Sequence, residues 1–184
     1  MVDLTRARVL GKGSSRLCYV HPDDERKCVK VVYTRRKEII EEELKYYRRY
    51  ERRGVSWDML ARSYGIVHTN MGDGAVFGLA RDFDGEISLT LDRYLPVMRG
   101  SAFEGELRAA LEVFRAYLFR ERIVLRELKP DNVVYQRISP ESGRLVLIDG
   151  VGNNQFLPIA NYSRIFVRHL LKKKWAKFEQ LLNT

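Results

Sequence analysis

The run Leu125-Arg126-Glu127-Leu128-Lys129-Pro130-Asp131-Asn132, followed after an apolar stretch by Asp149-Gly150, constrains this chain more than any other feature. Glu127 precedes the Asn132 amide by five positions. Asp149 then closes the strand-like stretch Leu145-Val146-Leu147-Ile148. A carboxylate, an amide and a second carboxylate in this order form the layout of a site that holds a phosphoryl donor on a divalent metal. The bland alternative is an ordinary helix-to-strand turn, since Pro-Asp-Asn is common turn chemistry, with a strand-end aspartate beyond it.

Two pieces upstream fit the same chemistry. Leu10-Gly11-Lys12-Gly13-Ser14-Ser15 is a glycine turn. Gly11 and Gly13 let a backbone approach phosphates, and Ser14 and Ser15 add hydroxyl donors. The alternative is a hairpin turn with no ligand. Lys30 stands in the apolar strand Cys28-Val29-Lys30-Val31-Val32, either as an outward-facing lysine or as a phosphate partner. Glu43 favours the second reading. It falls on the apolar stripe of the next helix with Ile39, Ile40, Tyr46, Tyr47 and Tyr50. A buried carboxylate needs a partner, and Lys30 is the nearest candidate.

The chain pattern is α+β: strands first, with one helix among them, then mostly helices. Strands are predicted over 4–10, 17–20, 28–33, 64–69 and 75–81, and helices over 35–53, 89–95, 103–121 and 160–182. A small hairpin joins Val133-Val134-Tyr135 to Leu145-Val146-Leu147-Ile148. The clearest amphipathic helix carries Leu107, Ala110, Leu111, Phe114 and Leu118 on one side. The expected division is one domain over 1–184, with a small lobe over 1–82, a linker over 83–88 and a second lobe over 89–184.

The segment from Ile123 to Tyr135, with Lys30, Glu43 and Asp149 in order, resembles the protein kinases. The resemblance implies a minimal two-lobed kinase-like fold, with an antiparallel N-lobe sheet, one helix and a reduced, mostly helical C-lobe. It implies ATP and Mg2+ as cofactors. Lys30 and Glu43 would position phosphates, Asn132 and Asp149 would hold metal, and Lys129 would face the transferred group. Cys18 and Cys28 would line the roof over the adenine. The family's catalytic aspartate is Glu127 here, its preceding histidine is Leu125, and its third loop glycine is Arg16. The phenylalanine and glycine after the metal aspartate become Gly150 and Val151. With Tyr46-Tyr47 and Arg81-Asp82-Phe83-Asp84-Gly85 added, the pattern looks most like the compact bacterial kinase-like YrbL family, the PhoP regulatory network proteins.

The expected activity is therefore an ATP- and Mg2+-dependent phosphotransfer to an acceptor that the sequence does not name. A nucleotide-binding pseudokinase acting as a regulatory module, with a protein partner, is the alternative that Glu127 and Gly150 favour. The net charge of +9 motivates a third reading, a basic adaptor for nucleic acid or an acidic surface. Arg35-Arg36-Lys37, Arg48-Arg49, Arg52-Arg53 and Lys172-Lys173-Lys174 carry it, although such runs are usually solvated helix faces. No stretch reaches the length of a membrane span, Met1-Val2-Asp3-Leu4 lacks a secretory pattern, and the two cysteines have no metal or redox spacing. The expectation is a cytoplasmic protein.

Overall fold

The computed structural model describes residues 1–34, 38–98, 100–101, 103–153 and 164–182. The described residues form a mixed α+β structure in two compact units. Residues 1–54 and 61–79 make the first, and 55–60 and 80–184 the second. The division falls after Leu79, ahead of the expected linker, and residues 55–60 join the second unit. They do so by pairing: Leu60 bridges Leu147, and the Leu147 amide donates to the Met59 carbonyl at 2.9 Å.

The first unit is a five-stranded antiparallel sheet in the order β1-β2-β3-β5-β4 with helix α1. Its strands are β1 (Val9–Lys12), β2 (Arg16–His21), β3 (Asp24–Val32), β4 (Ser63–Thr69) and β5 (Gly72–Gly78), and α1 is Glu38–Arg52. The strand expected from residue 4 begins only at Val9. Asp3 caps the Thr5 amide at 2.9 Å and the Ala7 amide turns back to the Leu4 carbonyl at 3.1 Å. Leu4 is thereby buried with Tyr19, Val29, Val31 and Val76. The β4–β5 turn is also tighter than the gap between the strands expected over 64–69 and 75–81, because Thr69 already pairs with Gly72, whose φ of 104° suits glycine. Helix α1 follows the apolar stripe, with Leu44 buried and Tyr46 half-buried. Residues 35–37, with the run Arg35-Arg36-Lys37, lie outside the described residues. Gly54 ends the helical segment at φ 64°.

Register sorts the side chains of β2 and β3. Cys18 pairs with Lys30, Val20 with Cys28 and Arg16 with Val32, so these residues share one face. Cys28 pairs with Phe77 and Lys30 with Ala75 on that face. The Tyr47 ring of α1 packs edge-on to Phe77 at 5.3 Å, which places α1 over it.

The second unit contains α2 (Leu91–Met98), α3 (Glu104–Arg120), the 3-10 turn Pro130–Asn132, the hairpin β6 (Val133–Arg137) with β7 (Gly143–Leu147), and α4 (Arg164–Leu182). The positions 160–163 expected to open the last helix lie outside the described residues. The apolar stripe of α3 buries Leu107, Ala110, Phe114, Tyr117 and Leu118. Trp175 of α4 packs against Phe114 at 6.4 Å and Phe178 at 5.4 Å, which ties the last helix to that core.

The segment expected as a linker is a fastened turn. The Asp82 amide donates to Glu86 at 2.8 Å and the Gly85 amide to Asp82 at 2.9 Å. Arg137 of β6 donates to Asp82 at 2.6 Å and to Asp84, and stacks over Phe83 at 5.1 Å. Those two carboxylates hold the Arg137 guanidinium well above its ordinary pKa. Buried Asp82 also accepts the Ser88 hydroxyl at 2.6 Å.

Candidate functional site

In the second unit, residues 124–127 run beside residues 150–152. The Gly152 amide donates to Val124 at 3.0 Å, and Leu125 bridges Val151 antiparallel. The amides of Arg126 and Glu127 both donate to the Gly150 carbonyl, at 2.8 and 3.2 Å. Leu125 is a buried apolar residue of this pairing.

The 3-10 turn then delivers Asn132 to the same place. Its amide donates back to the Lys129 carbonyl at 3.0 Å, and its carbonyl accepts the Ile148 amide at 2.9 Å. That bond extends the β6–β7 ladder, in which Val133 faces Leu147, by one step. Asn132 is therefore opposite Ile148, and Asp149 is next in line. The Asp149 carboxylate accepts the Gly150 amide at 2.6 Å, which fixes its orientation.

Gly150 is what allows the approach. Its φ is 84°, and a Cβ there would lie 2.1 Å from the Glu127 carbonyl oxygen and 3.1 Å from the Asn132 side-chain nitrogen. Glycine at this position thus has a local cause: residues 124–127 and 150–152 meet at this peptide.

Glu127 and Lys129 project from this cluster, roughly half exposed, and pair with each other at 2.8 Å. The hydrogen bond it donates to Glu127 holds the Lys129 ammonium above its ordinary pKa. Lys174 of α4 donates to the Arg126 carbonyl at 2.5 Å. Burial pulls its pKa down, against the opposing pull of the Glu127 charge. Sequence spacing singled out Lys174 only as part of a basic run. Its half-burial beside Trp175 separates it from exposed Lys172 and Lys173.

Asn132 and Asp149 offer one amide and one carboxylate oxygen set, the hard donors that Mg2+ takes alongside phosphates and waters. Among the described residues there is no group of three or more His, Cys, Asp or Glu that could hold a metal. A cation at this couple would draw its remaining oxygens from a bound ligand.

In the first unit, Lys30 is buried on the face under α1, with its ammonium 4.7 Å from the Phe77 ring centre. Glu43 is also buried there, and its carboxylate is held by Arg16 of β2. Arg16, which follows the glycine loop in sequence, belongs to β2. It points to the helix-covered face, because it shares the parity of Cys18 and Lys30 on the sheet. Alternation along β2, counted back from Cys18, carried that signal.

The glycine loop has mixed character. The Gly13 amide closes the hairpin on the Arg16 carbonyl at 2.9 Å, and the Gly13 carbonyl accepts the Tyr33 hydroxyl at 2.7 Å. A Cβ at Gly11 would meet nothing within 4 Å, and Gly11 lacks the positive φ that demands glycine. Ser14 is exposed and Ser15 half-buried beside it.

Cys18 and Cys28 lie on the Lys30 face, with Cys28 buried. The bond to Cys18, together with burial, pushes the Cys28 thiol pKa well up. The register makes them diagonal neighbours across β2 and β3, for which the span is roughly 7–8 Å. Both cysteines are free thiols.

Lys30, Glu43, the cysteines and the glycine loop thus belong to the first unit, and Glu127, Lys129, Asn132 and Asp149 to the second. An open hollow of about 660 Å3 lined by Arg6, Arg8, His21 and Glu25 among others contains none of them. No helix among the described residues is long and apolar enough to cross a membrane.

Residues 2–183 match the family model described as PhoP regulatory network protein YrbL. The chain is 36% identical over 182 residues to the YrbL proteins of Escherichia coli (strain K12) and Shigella flexneri, an overlap of 97% of this chain and 86% of each relative. The chain belongs to the YrbL family of PhoP regulatory network proteins.

Proposed function

We propose that the chain is an ATP- and Mg2+-dependent phosphotransferase with a minimal kinase-like fold. The observation that carries the reading is the convergence of Glu127, Asn132 and Asp149 around the Gly150 peptide, in the order the motif requires. The open backbone at Gly11 supports it, since neither packing nor φ calls for glycine there. In this reading Asn132 and Asp149 hold Mg2+, which neutralises charge on the phosphates when bound.

The step is an in-line transfer. The acceptor hydroxyl oxygen bonds to the γ-phosphorus, and the bond from that phosphorus to the bridging oxygen breaks. ADP leaves with that electron pair, and the hydroxyl proton passes to the Glu127 carboxylate. Lys129 balances charge on the moving group.

The ion pair between Glu127 and Lys129 favours a second reading, a nucleotide-binding regulatory module without turnover, since it occupies the base. Two measurements separate the readings. A rise in melting temperature with Mg-ATP, absent with ATP alone in EDTA, supports nucleotide binding in either form. Phosphate transfer or ATP hydrolysis lost in both Glu127→Ala and Asp149→Ala selects the enzyme. No melting shift at millimolar Mg-ATP rejects both. Tight RNA binding with a steep salt dependence would then point to the basic faces of α1 and α4.

A further inference from the structure

Lys174 has no role in the reading above, yet it is held where that reading is most sensitive. The peptide group joining Arg126 to Glu127 is bonded at both of its ends. Its N–H, from Glu127, donates to the Gly150 carbonyl at 3.2 Å. Its C=O, from Arg126, accepts the Lys174 ammonium at 2.5 Å. The Glu127 side chain leaves the backbone directly beside this plane. Lys174 is presented by a well-anchored helix, because the next residue, Trp175, is buried between Phe114 and Phe178. A half-buried ammonium makes a charge-assisted bond to a carbonyl, stronger than a neutral one and more demanding of direction.

We propose that Lys174 is a positioning residue, whose bond to the Arg126 carbonyl fixes the Arg126–Glu127 peptide and thereby places the Glu127 carboxylate. The role in turnover rests on the phosphotransferase reading, but the fixing of the peptide does not. A displacement on the order of 1 Å at a reacting carboxylate costs about 100-fold in rate, so a clamp one residue away has a measurable effect.

Lys174→Met, which keeps the stem and removes the donor, is compared with Lys174→Arg, which keeps a donor. Turnover of Mg-ATP, amide hydrogen exchange and thermal melting are read on the full chain. Lys174→Met is expected to keep its melting temperature within a few degrees and its KM for ATP within about twofold, while kcat falls about tenfold or more. The Arg126 and Glu127 amides should exchange about tenfold faster or more, with the β2–β3 ladder unchanged. Lys174→Arg should recover part of both effects. Unchanged exchange at those two amides in Lys174→Met overturns the proposal. So does a large melting loss in both variants with exchange rising throughout the unit, which makes Lys174 a helix-docking residue. If the wild-type chain turns over no ATP, the phosphotransferase reading falls, and the exchange comparison alone still decides whether Lys174 fixes the peptide.

Discussion

Arg16 of β2 and Glu43 of α1 form an ion pair inside the first unit, with side-chain exposures of 10% and 1%. The second carboxylate oxygen of Glu43 has no hydrogen-bond partner among the described residues, and the first is held by Arg16. Breaking a buried pair on one side leaves an uncompensated charge, at a cost of about 3–5 kcal/mol. Arg16→Met should lose stability on that scale in urea unfolding. The double variant Arg16→Met with Glu43→Leu should recover most of it, because an apolar pair of similar volume removes both desolvation terms. A single-variant loss under about 1 kcal/mol would mean that the pair is solvated.

Asp149→Asn tests the metal assignment. An amide keeps the side-chain shape and its hydrogen bond from Gly150 but removes the charge that a divalent cation needs. At a ligand concentration 100-fold above Kd, binding stabilises a protein by about 2.7 kcal/mol. The Mg2+-dependent part of the ATP-induced melting shift should vanish in Asp149→Asn and shrink in Asn132→Ala. An unchanged shift in both variants would remove these residues from the metal site.

Some of this was legible from the chain and some was not, for physical reasons. The β6–β7 hairpin and α3 follow from local patterns, apolar runs at strand spacing and a helical stripe, and local patterns survive folding. The convergence at Gly150 depends on register. Sequence order puts Asp149 after a strand, but only the Val133–Leu147 pairing makes it the neighbour of Asn132. The Arg16–Glu43 pair failed to emerge for a related reason. Arg16 looks like a loop residue until β2 pairs with β3, when parity carries it to the face beneath α1. Lys174 was hidden by its neighbours, since three consecutive lysines look equally solvated until Trp175 fixes which one turns inward.

The Glu127–Lys129 pair gives a pH dependence with a definite sign. Lys129 has its folded-state pKa raised, chiefly by the hydrogen bond it donates to Glu127. Its contribution to stability is fully present below its ordinary value of 10.5, and is lost as pH rises through the higher folded value. The pair is largely solvent-facing, so salt weakens it. An NMR titration of the Lys129 side chain should show a midpoint above 10.5 in the wild type, moving down in Glu127→Gln. A midpoint indifferent to that substitution would show that the two groups do not pair in solution, and would leave Glu127 open to take a proton.

Gly150→Ala asks whether the loop cluster needs its close approach. A methyl group would stand 2.1 Å from the Glu127 carbonyl oxygen, a backbone atom that no rotamer change can remove. The φ of 84° adds strain of about 1–2 kcal/mol for a residue with a Cβ. The 150–152 segment must therefore move away from residues 124–127, and the two bonds to the Gly150 carbonyl lengthen. Urea unfolding should show a loss of about 2 kcal/mol or more, beyond that of an ordinary surface substitution. The Arg126 and Glu127 amides should lose exchange protection together, because one carbonyl serves both. An alanine variant as stable as the wild type would mean that these segments are farther apart than the ladder requires, and the shared placement of Glu127, Asn132 and Asp149 would go with them.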